Sequence, residues 1–247
     1  MTLTNHFDEP VAATYDEGSA EMFDPAVLGP TVDLLAELAA DLGEPPSALE
    51  LAVGTGRVAL PLAARGVLVH GVDLSEAMLD RLRAKPGADG VSLTAGDMAT
   101  TRVPGEYAVA YLVFNTIGNL TTQDQQVEAF ANAARHLVPG GRFVVEVGVP
   151  QLQRVPAGER FHVFSRTEER LGVDEYDVVT QQMWSHHHRF EGSVGTRRSV
   201  PFRYVWPAEL DLMARLAGMR LEHRWADWDR SPFTGASTQH VSVWEKA

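Results

Sequence analysis

The chain has 247 residues, 45% of them apolar, and a formal net charge of −12 from 33 acids against 21 Lys plus Arg. It contains no cysteine, which excludes disulfides, thiolate catalysis and cysteine metal clusters, and no basic block that would bind a polyanion by bulk charge. No basic segment followed by an apolar one opens the sequence and no apolar run reaches membrane-spanning length, so a soluble, cytoplasmic protein is expected. In chain order, Val32, Leu34, Leu35, Leu38 and Leu42 recur at helical spacing and predict a helix from Pro30 to Leu42, ended by Gly43 and Pro45-Pro46. Ala48 to Val53 is a short apolar run without alternation, as a parallel strand buried on both faces requires. Helical character returns from Arg57 to Arg65. VLVHGVD (67–73), VSLTAGD (91–97), YAVAYLVFN (107–115) and RFVVEVG (142–148) read as further strands. Between them, Ser75 caps a helix to about Lys85, and Gln123 to Val138 reads as a helix closed by Pro139-Gly140-Gly141.

This alternation predicts an α/β domain, with an open, mostly parallel sheet of seven strands and helices on both faces. After residue 150 the rhythm changes. HVFSR (162–166), VVTQQMWSHHHRFE (178–191) and RRSVPFRYV (197–205) alternate as antiparallel strands do, so 151–205 is expected to be an insertion. A helix from Pro207 to Leu216 and strands near 219–226 and 239–245 then complete the core over 206–247.

In an open α/β sheet, ligands bind at the carboxyl ends of the strands, near the reversal of strand order. Gly54-Thr-Gly56 leaves the first strand there, and glycine lets a backbone approach a ligand closely. Gly54-Thr-Gly-Arg-Val-Ala59 also fits the dinucleotide fingerprint, which keeps NAD as an alternative occupant of the loop. Asp73 ends the second strand, where a carboxylate can accept from both hydroxyls of a ribose. Asp97 ends the third and can accept from an adenine amine.

ELAVGTGR, GVDLSEAML, AGDM and RHLVPGGRFVVEV, in that order across residues 48–147, resemble the motifs of class I S-adenosylmethionine-dependent methyltransferases. The resemblance implies a Rossmann-like core over 31–150 with S-adenosylmethionine as cofactor. It implies that Glu50, Gly54 and Gly56 hold the methionine part of that cofactor. Asp73 would take the ribose, and Asp97, Met98 and Met78, with Leu74 and Phe114, would complete the adenosyl site. Two departures stand out: Ala52 replaces the first loop glycine, and Ala108 replaces an Asp common in the fourth strand. Dinucleotide enzymes need neither Glu50 nor the GDM and PGG elements, which argues against NAD.

Methyl transfer from a sulfonium is an in-line displacement that needs alignment, exclusion of water and, for some acceptors, loss of a proton. Phe114-Asn115-Thr116-Ile117-Gly118-Asn119 lacks the (N/D)PP(Y/F) element of enzymes that methylate DNA bases or glutamine side chains. With the acidic charge, this favours an amine or hydroxyl of a small molecule, oriented by Asn115 and Asn119, over nucleic acid or protein. In the small-molecule branch of the family, a Tyr-Asp segment like AATYDEGSAEMF (12–23) forms a lid, here 1–30, with Tyr15 over the cofactor. The insertion and closing segment are similar to those of bacterial amino-sugar and antibiotic-pathway N-methyltransferases, which brings Arg230 forward as a partner for an acceptor phosphate or carboxylate.

Strand alternation puts His186 and His188 on one face and His187 on the other. No nearby acid completes a metal set, so no metal is expected. The candidate proton acceptors are Tyr15, His186 and His188, set against a reading in which alignment alone suffices. The insertion is expected to cover the acceptor, pair with a second copy as a homodimer, or do both. A catalytically inactive cofactor-binding domain is the remaining alternative.

Overall fold

The apolar run ahead of the glycines becomes the centre of a sheet. In the computed structural model, which describes residues 5–192 and 194–247, β1 (Ser47–Leu51) pairs in parallel with β2 (Leu68–Asp73) on one side and β4 (Tyr107–Leu112) on the other. A strand with neighbours on both edges and helices on both faces has no polar side to present, and all six residues of β4 are buried. β3 (Val91–Ala95) flanks β2, and β5 (Leu137–Gly148) flanks β4. β10 (Met219–Trp225) and β11 (Gln239–Lys246) add antiparallel pairs, giving the order β10-β11-β5-β4-β1-β2-β3. The chain runs outward from β1 to β3, then returns to β4 on the opposite side. That reversal opens a crevice beyond the ends of β1 and β4.

One face is covered by α2 (Pro25–Ala40), α3 (Ala59–Ala63) and α4 (Glu76–Arg83), whose Leu35, Leu62 and Leu79 are wholly buried. The other is covered by α5 (Gln123–His136) and α6 (Pro207–Leu216). There Phe130 meets Phe143 and Trp244 edge-to-face at 4.9 and 5.3 Å. α2 starts earlier than its periodicity suggested. Pro25, not Pro30, takes the first helical position, and Asp24 caps it by accepting from the Ala26 N–H at 2.8 Å, so the residue 30/31 division passes through the helix. α5 ends at His136, and Pro139-Gly140-Gly141 lies within β5, where the register against β4 shifts. Ahead of α2, α1 (Glu9–Gly18) is capped by Asp8.

The insertion forms its own antiparallel sheet of four strands, not three: β6 (Phe161–Arg166), β7 (Arg170–Tyr176), β8 (Gln182–Glu191) and β9 (Val194–Arg203). β7 escapes a hydrophobicity pattern because one of its faces carries Gly172, Asp174 and Tyr176. Val178–Gln181, expected to start a strand, is instead the connection into β8, and Gln181 sits at φ 59°. Among the described residues no helix is long and apolar enough to cross a membrane.

Candidate active site

The crevice is built first from backbone. After β1 the chain turns sharply through Ala52-Val53-Gly54-Thr55-Gly56, with Gly54 at φ 56° and Gly56 at φ 83°. A Cβ on Gly56 would lie 2.8 Å from Leu82 of α4, so glycine is required there by both conformation and space. Ala52 is also left-handed, at φ 63°, a conformation that costs an L-residue about 1 kcal/mol.

Asp73 closes β2 against this turn. Its Oδ2 accepts from the Gly54 N–H at 2.7 Å and its Oδ1 from the Ser75 N–H at 2.8 Å. Burial pushes the carboxyl up while these two N–H groups pull it down, and each oxygen keeps a lone pair for a ligand. Asp97 likewise caps its own turn, accepting from the Ala99 N–H at 2.8 Å. Both acids therefore serve the local fold and line a cavity. Its other walls include Gly54, Leu74, Met78, Met98 and Tyr15. A carboxylate for a vicinal diol, thioether and aliphatic walls for a flat base, and a turn free of Cβ at Gly54 together fit an adenosyl group.

Glu50 is not among those walls. It lies beneath the turn at 2% exposure, accepts from the Tyr111 phenol at 2.9 Å, and has its carboxyl pushed up to about 8 by burial. The sequence reading passed over Arg57. Its guanidinium lies 5.2 Å from the Phe114 ring centroid, and its charge acts on Glu50, Glu146, Tyr111 and Tyr15. Among the described residues no carboxylate sits at salt-bridge distance from it, leaving a cation at the turn for an anionic ligand. The available signal was its place directly after Gly56.

The N-terminal segment is tied down over this turn. The Thr55 hydroxyl donates to Asp16 at 2.6 Å, and Asp16 pairs with Lys85 at 2.5 Å, which also donates to the Thr55 carbonyl. The Ser75 hydroxyl donates to the Phe7 carbonyl. Tyr15, brought in by α1, meets Phe7 edge-on at 6.1 Å. Its phenol is raised above 10, chiefly by burial, and so stays protonated at neutral pH. In that form it can donate or orient there.

On the β4 side, Phe114 and Asn115 are both left-handed, at φ 59° and 60°, a strained pair held by specific bonds. The Phe114 N–H donates to the Glu146 carboxylate at 2.8 Å, and the Gly148 N–H donates to Asn115 Oδ1 at 2.6 Å. The turn presents Phe114 and Asn119 to a second cavity of about 630 Å³, between the crevice and the inserted sheet. Asn115 lines it too, with its carbonyl oxygen engaged by the turn.

The inserted sheet gives this cavity one face. Strand pairing sets Asp174 opposite Ser185 and Val200, Gly172 opposite His187 and Arg198, and Tyr176 opposite Met183 and Phe202. All of these but Gly172 line the cavity. His186 and His188 therefore turn away, which corrects the choice of face made from the sequence. His186 is bonded to Ser199 Oγ at 2.7 Å and lies 3.4 Å from Glu175, while His188 stacks on Phe190. Alternation separates the faces but does not say which is inward. Arg230 is also elsewhere: it pairs with Glu37 of α2 at 2.6 Å, over the Trp225 ring, and lines neither cavity.

Residues 48–141 match the family described as a methyltransferase domain. The CcbJ methyltransferase from Streptomyces caelestis is 38% identical, covering 88% of this chain and 90% of its own, with a TM-score of 0.77. The cypemycin N-terminal methyltransferase of a Streptomyces species is 27% identical over 246 residues, 95% of this chain and 98% of that one. A dTDP-3-amino-3,4,6-trideoxy-alpha-D-glucopyranose N,N-dimethyltransferase from Streptomyces venezuelae is 34% identical over 140 residues, 53% of this chain and 58% of its own. The dinucleotide reading of the glycine turn is thus not favoured. With the ordered motifs and the strand-end acids around one cavity, these likenesses identify the chain as a member of the S-adenosylmethionine-dependent methyltransferases.

Proposed function

We propose that the chain methylates an amine of a small molecule held in the larger cavity. The observation that carries this is the junction of the two cavities: Phe7, Tyr15, Thr116 and Asn119 line both, so a nucleophile in one meets a group in the other there. Nitrogen is the acceptor atom because two relatives are named for it, as an N-terminal methyltransferase and an N,N-dimethyltransferase.

The sulfonium of S-adenosylmethionine supplies an activated methyl group. Asp73 would accept from the ribose hydroxyls, and Leu74, Met78 and Met98 would wall the base beside Asp97. Gly54 would leave the turn open to the methionine part, and Arg57, beside the Phe114 ring, would pair with its carboxylate. Phe7 and Tyr15 exclude water at the junction, while Asn119 and the Tyr15 hydroxyl orient the amine. With the donor bound, the amine lone pair would form the new N–C bond as the S–C bond breaks, its electron pair staying on sulfur. The amine proton leaves to solvent, since Tyr15 at the junction stays protonated, His186 and His188 face away, and His187 lines only the larger cavity, apart from the junction. Alignment, not a side-chain base, carries the step.

Calorimetry with S-adenosylhomocysteine, followed by methyl transfer from S-adenosylmethionine to an amine panel, tests this reading. Saturable binding and N-methyl product are expected. Methylation confined to hydroxyls, or no turnover across the panel, would overturn it.

We also propose that the outer face of the inserted sheet pairs with a second copy. Phe161 and Val163, each 52% exposed, and Trp184, 40% exposed, share that face, more apolar area than a solvated strand surface needs. Light scattering should report a dimer that Trp184→Lys dissociates. A monomer at micromolar concentration contradicts it.

A further inference from the structure

The wall of the larger cavity carries one group that the transfer step does not use. Asp174 projects from β7 into a space walled by Phe164, Tyr176, Met183, Val200 and Phe202. Ser185 sits directly across from it on β8, and Tyr176 follows it on the same face of its own strand, so both hydroxyls lie on its side of the cavity. Ser185 in turn lies 3.2 Å from His187 Nε2. Space for this arrangement is provided by Gly172, since a Cβ there would lie 2.4 Å from the Phe164 ring, which packs across the strand and meets His187 edge-on at 5.6 Å.

Asp174 has hydroxyls beside it but no ion-pair partner among the described residues. No Lys or Arg pairs with it among the described residues; Arg198 lines the same cavity opposite His187, and burial pushes the Asp174 carboxyl up. Burial and Arg198 hold His187 below its ordinary range, so it is neutral near pH 7. A carboxylate half-withdrawn from water among aromatic rings, in salt-bridge contact with none of the cations that line its cavity, is a receptor for a cation. It is also remote from the reacting centre, for it lines only the larger cavity and is absent from the junction where the methyl group is passed.

We propose that Asp174 determines acceptor specificity by binding a second, protonated nitrogen of the acceptor, so that the preferred substrates are amines carrying a remote ammonium group. This rests on the reading that the larger cavity holds the acceptor amine. The ammonium docks between Asp174 and the Tyr176 and Phe164 rings. The uncharged nitrogen at the other end of the acceptor lies at the junction. Asp174 touches no reacting atom and acts by positioning.

The test uses a series of aliphatic α,ω-diamines, each compared with the monoamine of the same chain length, as methyl acceptors for the full chain. At the best-fitting length the diamine should exceed its monoamine in kcat/KM by about tenfold. Asp174→Asn should abolish that preference through KM, leaving the affinity for S-adenosylhomocysteine unchanged. Asp174→Glu should restore it with the optimum moved to a shorter diamine, a shift that a merely structural role would not produce. Equal use of diamines and monoamines, a preference that survives Asp174→Asn, or no turnover of any diamine by protein that binds S-adenosylhomocysteine overturns the proposal. Turnover of the monoamines alone would leave the N-methylation reading standing, and failure to methylate any amine would remove both.

Discussion

In the parallel sheet, the groups facing the cofactor cavity sit where strands stop: the turn after β1, Asp73 at the end of β2, and Asp97 just past β3. In β6–β9 they sit along the strands, at every second residue, so that Asp174, Ser185 and His187 face the cavity while Glu175, His186 and His188 do not. The first arrangement depends on backbone shape and on which residue ends a strand. The second depends on parity, and a shift of one residue exchanges the whole set. The two halves of the site should therefore respond differently to substitution.

Gly56→Ala should have the largest effect on the first half. It adds a Cβ at φ 83° that meets Leu82 at 2.8 Å, combining left-handed strain with overpacking. Together these should remove about 2–5 kcal/mol from stability or cofactor affinity. Denaturant unfolding and calorimetry measure this; an unaffected variant would show that the turn is looser than described.

Asp73→Asn keeps the shape of the side chain but removes its charge. Cofactor affinity should fall by about 1–3 kcal/mol, the range for a lost charged acceptor. An unchanged dissociation constant in a folded variant would take Asp73 out of the site. The same substitution should leave the diamine preference assigned to Asp174 intact.

Glu50 sharpens the comparison from below the turn. Its carboxyl, pushed up to about 8 in the folded chain from an ordinary 4.5, binds its proton more tightly when folded. Its contribution to stability is therefore fully present below pH 4.5 and is lost as pH rises through about 8. Glu50→Gln keeps an acceptor for the Tyr111 phenol without an ionisable group. Thermal unfolding should show the variant matching the parent at low pH, gaining as pH rises, and holding a constant advantage above about 8. A variant no more stable than the parent at pH 8.5 would contradict this account.

Ala52→Gly should give the smallest change. It relieves an alanine held at φ 63° but adds freedom to the unfolded chain, so the net gain should be at most about 1 kcal/mol in the unliganded protein. Destabilisation would mean that the alanine methyl makes contacts outweighing the strain.

The same contrast decides how much was legible in the sequence. Gly54, Asp73 and Asp97 could be placed at the cavity from sequence because the end of a buried apolar run marks where a parallel strand stops, whereas Gly56 shapes the same turn against Leu82 and lines neither cavity. The seven strands of the core followed from the same runs. Arg57 was missed because nothing in its spacing separates a cation over the Phe114 ring from an ordinary surface arginine. β7 was missed, and with it Asp174, since Gly172, Asp174 and Tyr176 read as polar turn when the cavity they face is not yet known. His186 and His188 were preferred to His187 because parity names two faces and only the pairing with β7 orients them. Arg230 was drawn to the acceptor by family likeness alone, and its partner proved to be Glu37.

Amide hydrogen exchange with and without saturating S-adenosylhomocysteine tests this division of labour most directly. The account predicts added protection in the turn 52–56, at 73–78 and around 97–99, with little change along β6–β9. Protection concentrated in β6–β9, with the glycine turn unchanged, would contradict it.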